Sequence, residues 1–297
     1  MKVEIKKLSE VRRIIKVEVE ESHLKEDRER IYKDLAKELK VPGFRKGCAP
    51  LEVLERHYRD FLKEKFLEWA LPAYYEKVIK ENKFIPVSLP RIFDVEFKDN
   101  KLSFSIEVEI KPQIEINEEV YKGIKLKEKK IEISEKEIEK MISVMQEEIG
   151  KVVGKKIDEE YVARWYGYKD IDSFKEVLKN DLKSKKLEER RKYLEDQIIS
   201  YLLKKIKVEI PPKATEEFLE RLVEAEIKRL QLQGFSLEDL DKYRQDLEKK
   251  LRPFAFERMK LFYILEAVAQ KENLKIDRNS FYSVVISYIL SFAQYTQ

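Results

Sequence analysis

The chain has 297 residues, with 62 Lys and Arg against 58 Asp and Glu, a formal net charge of +4 and a single cysteine. That length is more than one core fills, so about two domains are expected, and so slight a charge leaves room only for a local basic patch. One cysteine excludes an internal disulfide and no apolar run approaches the ~18 residues of a membrane span, which points to a cytoplasmic protein with no membrane partner. Abundant Lys and Glu also suit the ion-pair networks of a thermophile.

Residues 11–21 alternate through Ile15, Val17 and Val19, the pattern of a half-buried strand. Ser22 is the expected cap of a helix to about Lys40, with Leu24, Ile31, Leu35 and Leu39 on one face. A second helix is expected from Leu51, carrying Leu54, Tyr58, Phe61, Phe66, Trp69 and, past Pro72, Tyr75 and Ile79. Between them, residues 41–50 gather two of the seven glycines and two of the nine prolines, with no acidic residue. Glycine opens positive φ and proline pre-sets a turn, so this is a shaped loop holding Phe44, Arg45 and Lys46 outward. An exposed aromatic beside two cations suits docking on an anionic, partly apolar surface.

Gly43-Phe44-Arg45-Lys46-Gly47 followed by Pro50, between two helices, resembles the signature of the trigger factor family of bacterial ribosome-associated chaperones. The resemblance implies a ribosome-binding site in which Arg45 and Lys46 contact rRNA phosphates or acidic side chains of the exit-tunnel ribosomal protein. Phe44 would insert against that surface, and Pro42, Gly43 and Gly47 would shape the loop. Read without it, the stretch is a helix-hairpin turn with an incidentally exposed Phe.

Pro86 and Pro90 bracket a turn, and strands over 91–97 and 101–110 meet at Asp99-Asn100, whose chemistry suits a hairpin. Residues 1–112 therefore read as an α+β N-terminal domain, an antiparallel sheet with a two-helix hairpin, in the family's element order. Residues 113–157 read as a linker, then alternation through Ile124, Leu126, Ile131 and Ile133, then a capping box at Ser134 and Glu137. The box opens a helix through Ile138, Ile142, Met145 and Ile149 to Gly150. In the family the corresponding helix leads into an FKBP-type peptidyl-prolyl isomerase domain. Such a domain needs several strands and an aromatic-lined pocket, and between Gly150 and Asp158 there is room for one turn. It is read as absent.

Residues 158–297 read as an all-α C-terminal domain, with the projecting helical arms that the resemblance implies. Asp172 is the expected cap of a long helix to about Lys205, whose charged middle, 183–192, should lie in water. Pro211-Pro212 should stop the chain, with helices following over 216–233, from Ser236 through a break or kink at Pro253 to Ala269, and over 279–293. Leu251-Arg252-Pro253-Phe254-Ala255 with Met259-Lys260 also resembles the family's C-terminal domain. Clients would be held by apolar side chains, with Leu230, Phe235, Phe262, Tyr282, Tyr288 and Phe292 as candidates. Tyr282, Val285, Ile289 and Phe292 are more simply core.

Little else carries chemistry. A Cys48–His57 pair has no third orienting residue, and two histidines with one cysteine make no zinc spacing. Gly43 and Gly47 lack the ending of a nucleotide loop. Neither catalytic residues nor cofactor, metal or nucleotide are expected, so the reading is an ATP-independent chaperone that docks on ribosomes and shields nascent or unfolded polypeptides. Its rivals are a prolyl isomerase, a ribosome- or RNA-binding assembly factor without clients, and a free-standing chaperone.

Overall fold

A computed structural model describes every residue except 99, 100, 129, 278 and 297, and the side chains of 237–239 and 241. The expected Asp99-Asn100 turn lies outside the described residues, though Lys98 and Lys101 pair on either side of it. In chain order the elements are β1 (Lys2–Lys7), β2 (Arg12–Val19), α1 (Glu21–Ala36), α2 (Leu51–Glu81), β3 (Arg91–Lys98) and β4 (Lys101–Glu109). Then come α3 (Glu118–Tyr121), β5 (Lys125–Lys127), α4 (Glu135–Val153), α5 (Glu159–Trp165) and α6 (Ile171–Lys205). The chain ends with α7 (Pro212–Leu232), α8 (Leu237–Lys271), α9 (Phe281–Ser291) and β6 (Gln294–Thr296). No helix among the described residues is long and apolar enough to cross a membrane.

Packing divides the chain into two compact units, each built from two segments: Met1–Ile114 with Val208–Tyr263, and Glu115–Lys207 with Ile264–Gln297. A division at 112 and 157 follows sequence order. The units follow contact instead, and α7 with most of α8 packs with the first residues of the chain.

In the first unit an antiparallel sheet runs β1-β2-β4-β3. Strict alternation on the two central strands puts Ile15, Val17 and Val19 opposite Ile106, Phe104 and Leu102, all buried. The α1–α2 hairpin covers that face with Leu24, Tyr32, Leu54, Leu62, Phe66 and Val78. The edge strand β1, absent from the elements expected above, alternates Met1, Val3 and Ile5 with Lys2, Glu4 and Lys6, and sets Val3 opposite Val17 and Ile5 opposite Ile15. Its lysines point to water, which also protects the edge from pairing. Helix α1 starts one residue before the expected Ser22 cap, with Glu20 at the N-cap and no side-chain bond there. Helix α2 continues through Pro72 and departs from helical φ/ψ only at Tyr58.

Pro212 does not stop the chain but opens α7, a position where its missing N–H costs nothing. The next two amides, of Lys213 and Ala214, donate to the Glu109 carboxylate at 2.9 and 3.0 Å. Glu109 is 5% exposed, so it satisfies two orphan helix donors where water has little access. Pro253 lies inside α8 without breaking it.

In the second unit the Ser134–Glu137 capping box forms, with the Ser134 N–H donating to the Glu137 carboxylate at 3.0 Å. Helix α4 runs past Gly150 and closes at Gly154, φ +73°. Asp158 caps α5 through the Tyr161 amide (2.7 Å), and Asp170, not Asp172, caps α6 through Ser173 (2.8 Å). Ile138, Ile142 and Ile149 of α4 pack with Val162, Phe174 and Leu178 in one core, across a five-residue α4–α5 connection. The middle of α6 is not bare as expected. Lys186 bonds Glu137 at 2.6 and 2.8 Å, and Arg190 pairs with Glu128. The C-terminal part is also not wholly helical, since β6 pairs in parallel with β5, Leu126 opposite Tyr295. Three-residue strands are too short to leave a period in the sequence.

Candidate docking loop and exposed apolar residues

The 41–50 loop is two turns in tandem. The Phe44 N–H donates to the Val41 carbonyl at 3.1 Å, and the Cys48 N–H to the Arg45 carbonyl at 2.9 Å. Gly43 (φ +84°) and Gly47 (φ +82°) take the third place of each turn, where a type II turn requires positive φ. A Cβ on Gly43 would meet nothing, and one on Gly47 would sit 3.6 Å from the Lys37 Cα, an ordinary contact. Backbone conformation, not space, is what demands glycine there.

The loop hangs from a fixed base. Val41 is buried in the sheet–hairpin core, and the Tyr58 hydroxyl, at the one non-helical residue of α2, donates to the Lys40 carbonyl at 2.7 Å. From that base Phe44 stands 40% exposed, and Pro42, Arg45, Lys46 and Cys48 are exposed as well. Neither the Arg45 nor the Lys46 side chain has a hydrogen-bond or ion-pair partner among the described residues. An apolar ring flanked by two uncommitted cations is available to an anionic surface.

The client candidates fall three to each unit. In the first, Leu230 is half-buried while Phe235, 55% exposed, and Phe262 are open to water. The Phe235 N–H returns to the Leu230 carbonyl at 3.3 Å, closing α7 beside Gly234 (φ +94°). In the second unit Tyr282 and Tyr288 are half-buried and Phe292 is exposed. The Tyr288 and Phe292 rings lie 5.1 Å apart, with Lys122 Nζ 5.2 Å from the Phe292 ring. Tyr288 is committed, its hydroxyl donating to Glu272, which also accepts from Tyr121 and pairs with Lys122 at 2.9 Å. These partners hold the Glu272 carboxyl down at about 2, while burial and then the bond to Glu272 push Tyr121 up, bonds to Glu118 and Glu272 push Lys122 up, and the bond to Glu272 pushes Tyr288 up.

Sequence reasoning missed Leu232, Phe254 and Phe256. Leu232, at the end of α7, is 84% exposed. Phe256 walls a groove of about 500 Å³ with Ile210, Leu219 and Ala255, at which Arg252 meets the Glu216 carboxylate at 2.6 and 2.9 Å. The available signal was Leu232 standing two residues before a helix-ending glycine, where no helix face remains to bury it. No cluster of three metal-ligating side chains occurs among the described residues.

Residues 1–145 match the model of bacterial trigger factor protein and residues 170–285 that of its C-terminus, leaving 146–169 between them. A trigger factor of Natranaerobius thermophilus is 34% identical over 136 residues, 45% of this chain and 30% of that protein. One from Halothermothrix orenii is 32% identical over 150 residues, 50% of this chain and 34% of the relative, so these alignments span about a third of the relatives' own length. The trigger factor of Moorella thermoacetica is 23% identical across 93% of this chain and 83% of its own. That alignment is 374 positions long, about a hundred more than the residues of this chain it covers. A solved structure described under substrate recognition by the trigger factor chaperone shares the fold, with a TM-score of 0.55 at 17% identity, over 93% of this chain and 87% of that one. The two models take up most of the chain in the family's order, and the chain belongs to the trigger factor family.

Proposed function

We propose that this protein is an ATP-independent chaperone that docks beside the ribosomal tunnel exit through Phe44, Arg45 and Lys46 and holds nascent or unfolded polypeptides. The observation that carries the reading is the tandem turn, whose two positive-φ glycines present an aromatic and two uncommitted cations on a base anchored by Val41 and Tyr58. Arg45 and Lys46 supply salt-dependent attraction to rRNA phosphates or to acidic side chains of a ribosomal protein, and Phe44 supplies apolar contact. Clients are held through exposed apolar side chains, Leu232, Phe235 and Phe262 in the first unit and Phe292 in the second. The protein acts in the cytoplasm and carries no prolyl isomerase activity of its own, since α4 passes to α5 in five residues with both helices in one core. Replacing Phe44, Arg45 and Lys46 with alanine in the full chain tests the docking. Co-sedimentation with ribosomes is expected to be lost, and its persistence would overturn the reading.

A further inference from the structure

Most of the arginines among the described residues are engaged. Arg12, Arg30, Arg190, Arg191, Arg229, Arg244 and Arg252 pair with carboxylates. Arg13, Arg164 and Arg221 donate to carbonyls, Arg91 lies over Phe93, and Arg28 and Arg258 are likewise engaged. Among the described residues only Arg45, Arg56 and Arg59 have no such partner, and they fall within fifteen positions of one another.

Arg45 belongs to the docking loop. Arg56 and Arg59, exposed on the first turns of α2 either side of the non-helical Tyr58, line one groove of about 850 Å³ with Arg28, Lys63 and Lys98. Three carboxylates, Glu52, Glu55 and Asp60, share the groove without closing on either arginine, although Lys65 and Lys80 of the same helix pair with their neighbours at 2.8 and 3.2 Å. The wall includes Phe97, under Lys63 at 5.9 Å, and Tyr32.

We propose that this groove holds a stretch of RNA phosphodiester backbone, with Arg56 and Arg59 each taking a phosphate beside the contact made by the loop. The proposal rests on the ribosome-docking reading. A guanidinium fork matches phosphate oxygens bidentately, which lysine cannot do, and an aromatic wall accepts a ribose or base face. An unpaired arginine loses no internal partner when it turns to a phosphate, so the site is ready as it stands.

The test uses the full chain carrying R56Q and R59Q together, with K65Q/K80Q as a control and R56K/R59K as the conservative pair. Binding to protein-free ribosomal RNA is measured from 50 to 200 mM salt, binding to intact ribosomes by co-sedimentation, and thermal stability alongside. The glutamine pair is expected to weaken RNA binding at least about fivefold and to shrink the slope of log affinity against log salt by about 1.5 to 2. The lysine pair should regain part of the affinity, and the control should match wild type. Unchanged RNA affinity and slope would overturn the proposal. So would weaker ribosome binding with RNA binding intact, which would assign the groove to an acidic protein surface. A loop variant that still sediments with ribosomes would sink the docking reading, while the RNA arm judges the groove separately.

Discussion

The carboxylate of Glu109, at the end of β4, caps α7 from 105 residues away, accepting the backbone N–H of Ala214 at 3.0 Å and that of Lys213 at 2.9 Å. A buried charge is costly unless its bonds are made, and here both oxygens have one. The helix end in turn supplies a partial positive charge that favours the carboxylate. The same junction is fastened by the Glu10 N–H to the Glu209 carboxylate at 3.0 Å. Glu109 therefore fixes the start of α7 against the sheet that carries the docking loop's domain.

Glu109→Ala leaves two shielded amides without an acceptor. Hydrogen bonds to charged groups contribute ~1.5–3 kcal/mol, so a loss of about 2–3 kcal/mol in denaturant stability is expected. Hydrogen exchange at the Lys213 and Ala214 amides should accelerate beyond what that global loss explains. Unchanged exchange at those two amides would contradict the capping role.

Glu272 gives the second unit an acid-side stability term. Its hydrogen bonds from Lys122, Tyr121 and Tyr288 depress its carboxyl from 4.5 to about 2. A depressed carboxyl contributes stability that is fully present above its unfolded value and is lost as pH falls through the folded one. Glu272→Gln should thus melt below wild type at neutral pH, with the gap narrowing between about pH 4.5 and pH 2. A gap that stays constant across that window would count against the network.

How the sequence led to these sites differs from element to element. The loop was legible because turn chemistry is local: two glycines and a proline fix its geometry whatever packs around it. The central strands and α1–α2 were legible by period. Glu109 was not, because a carboxylate ending an alternating strand looks like any solvated charge until α7 arrives. Three-residue β5 and β6 have no period, whereas β1 was legible in the alternation of Met1, Val3 and Ile5 with charged residues and was passed over because it is so short. The middle of α6 misled for the opposite reason. A run of charges reads as water-facing, yet Lys186 and Arg190 find Glu137 and Glu128 across the fold.

Client holding should rest on apolar burial. Leu232→Ser with Phe235→Ser, both exposed at the α7–α8 turn, should reduce suppression of aggregation of a chemically denatured protein while leaving stability within about 0.5 kcal/mol. Suppression by the wild type should survive high salt, whereas ribosome binding should weaken. Full suppression by the double variant would move the client surface elsewhere.

Uncatalysed X-Pro isomerisation takes tens to hundreds of seconds, slow enough for weak catalysis to be visible. The purified chain should leave that rate unchanged on an accessible proline peptide. Acceleration that tracks the protein through purification would contradict the reading of the α4–α5 connection.

Cys48, the chain's one cysteine, is exposed in the docking loop one residue beyond Gly47 and reports on the loop without any mutation. The most direct measurement is its rate of alkylation in the full chain, alone and with saturating ribosomes at low salt. Docking through Phe44, Arg45 and Lys46 should protect the thiol several-fold, with protection lost in the triple alanine variant and at high salt. Alkylation at the free rate while the protein demonstrably sediments with ribosomes would place the contact elsewhere and contradict the account.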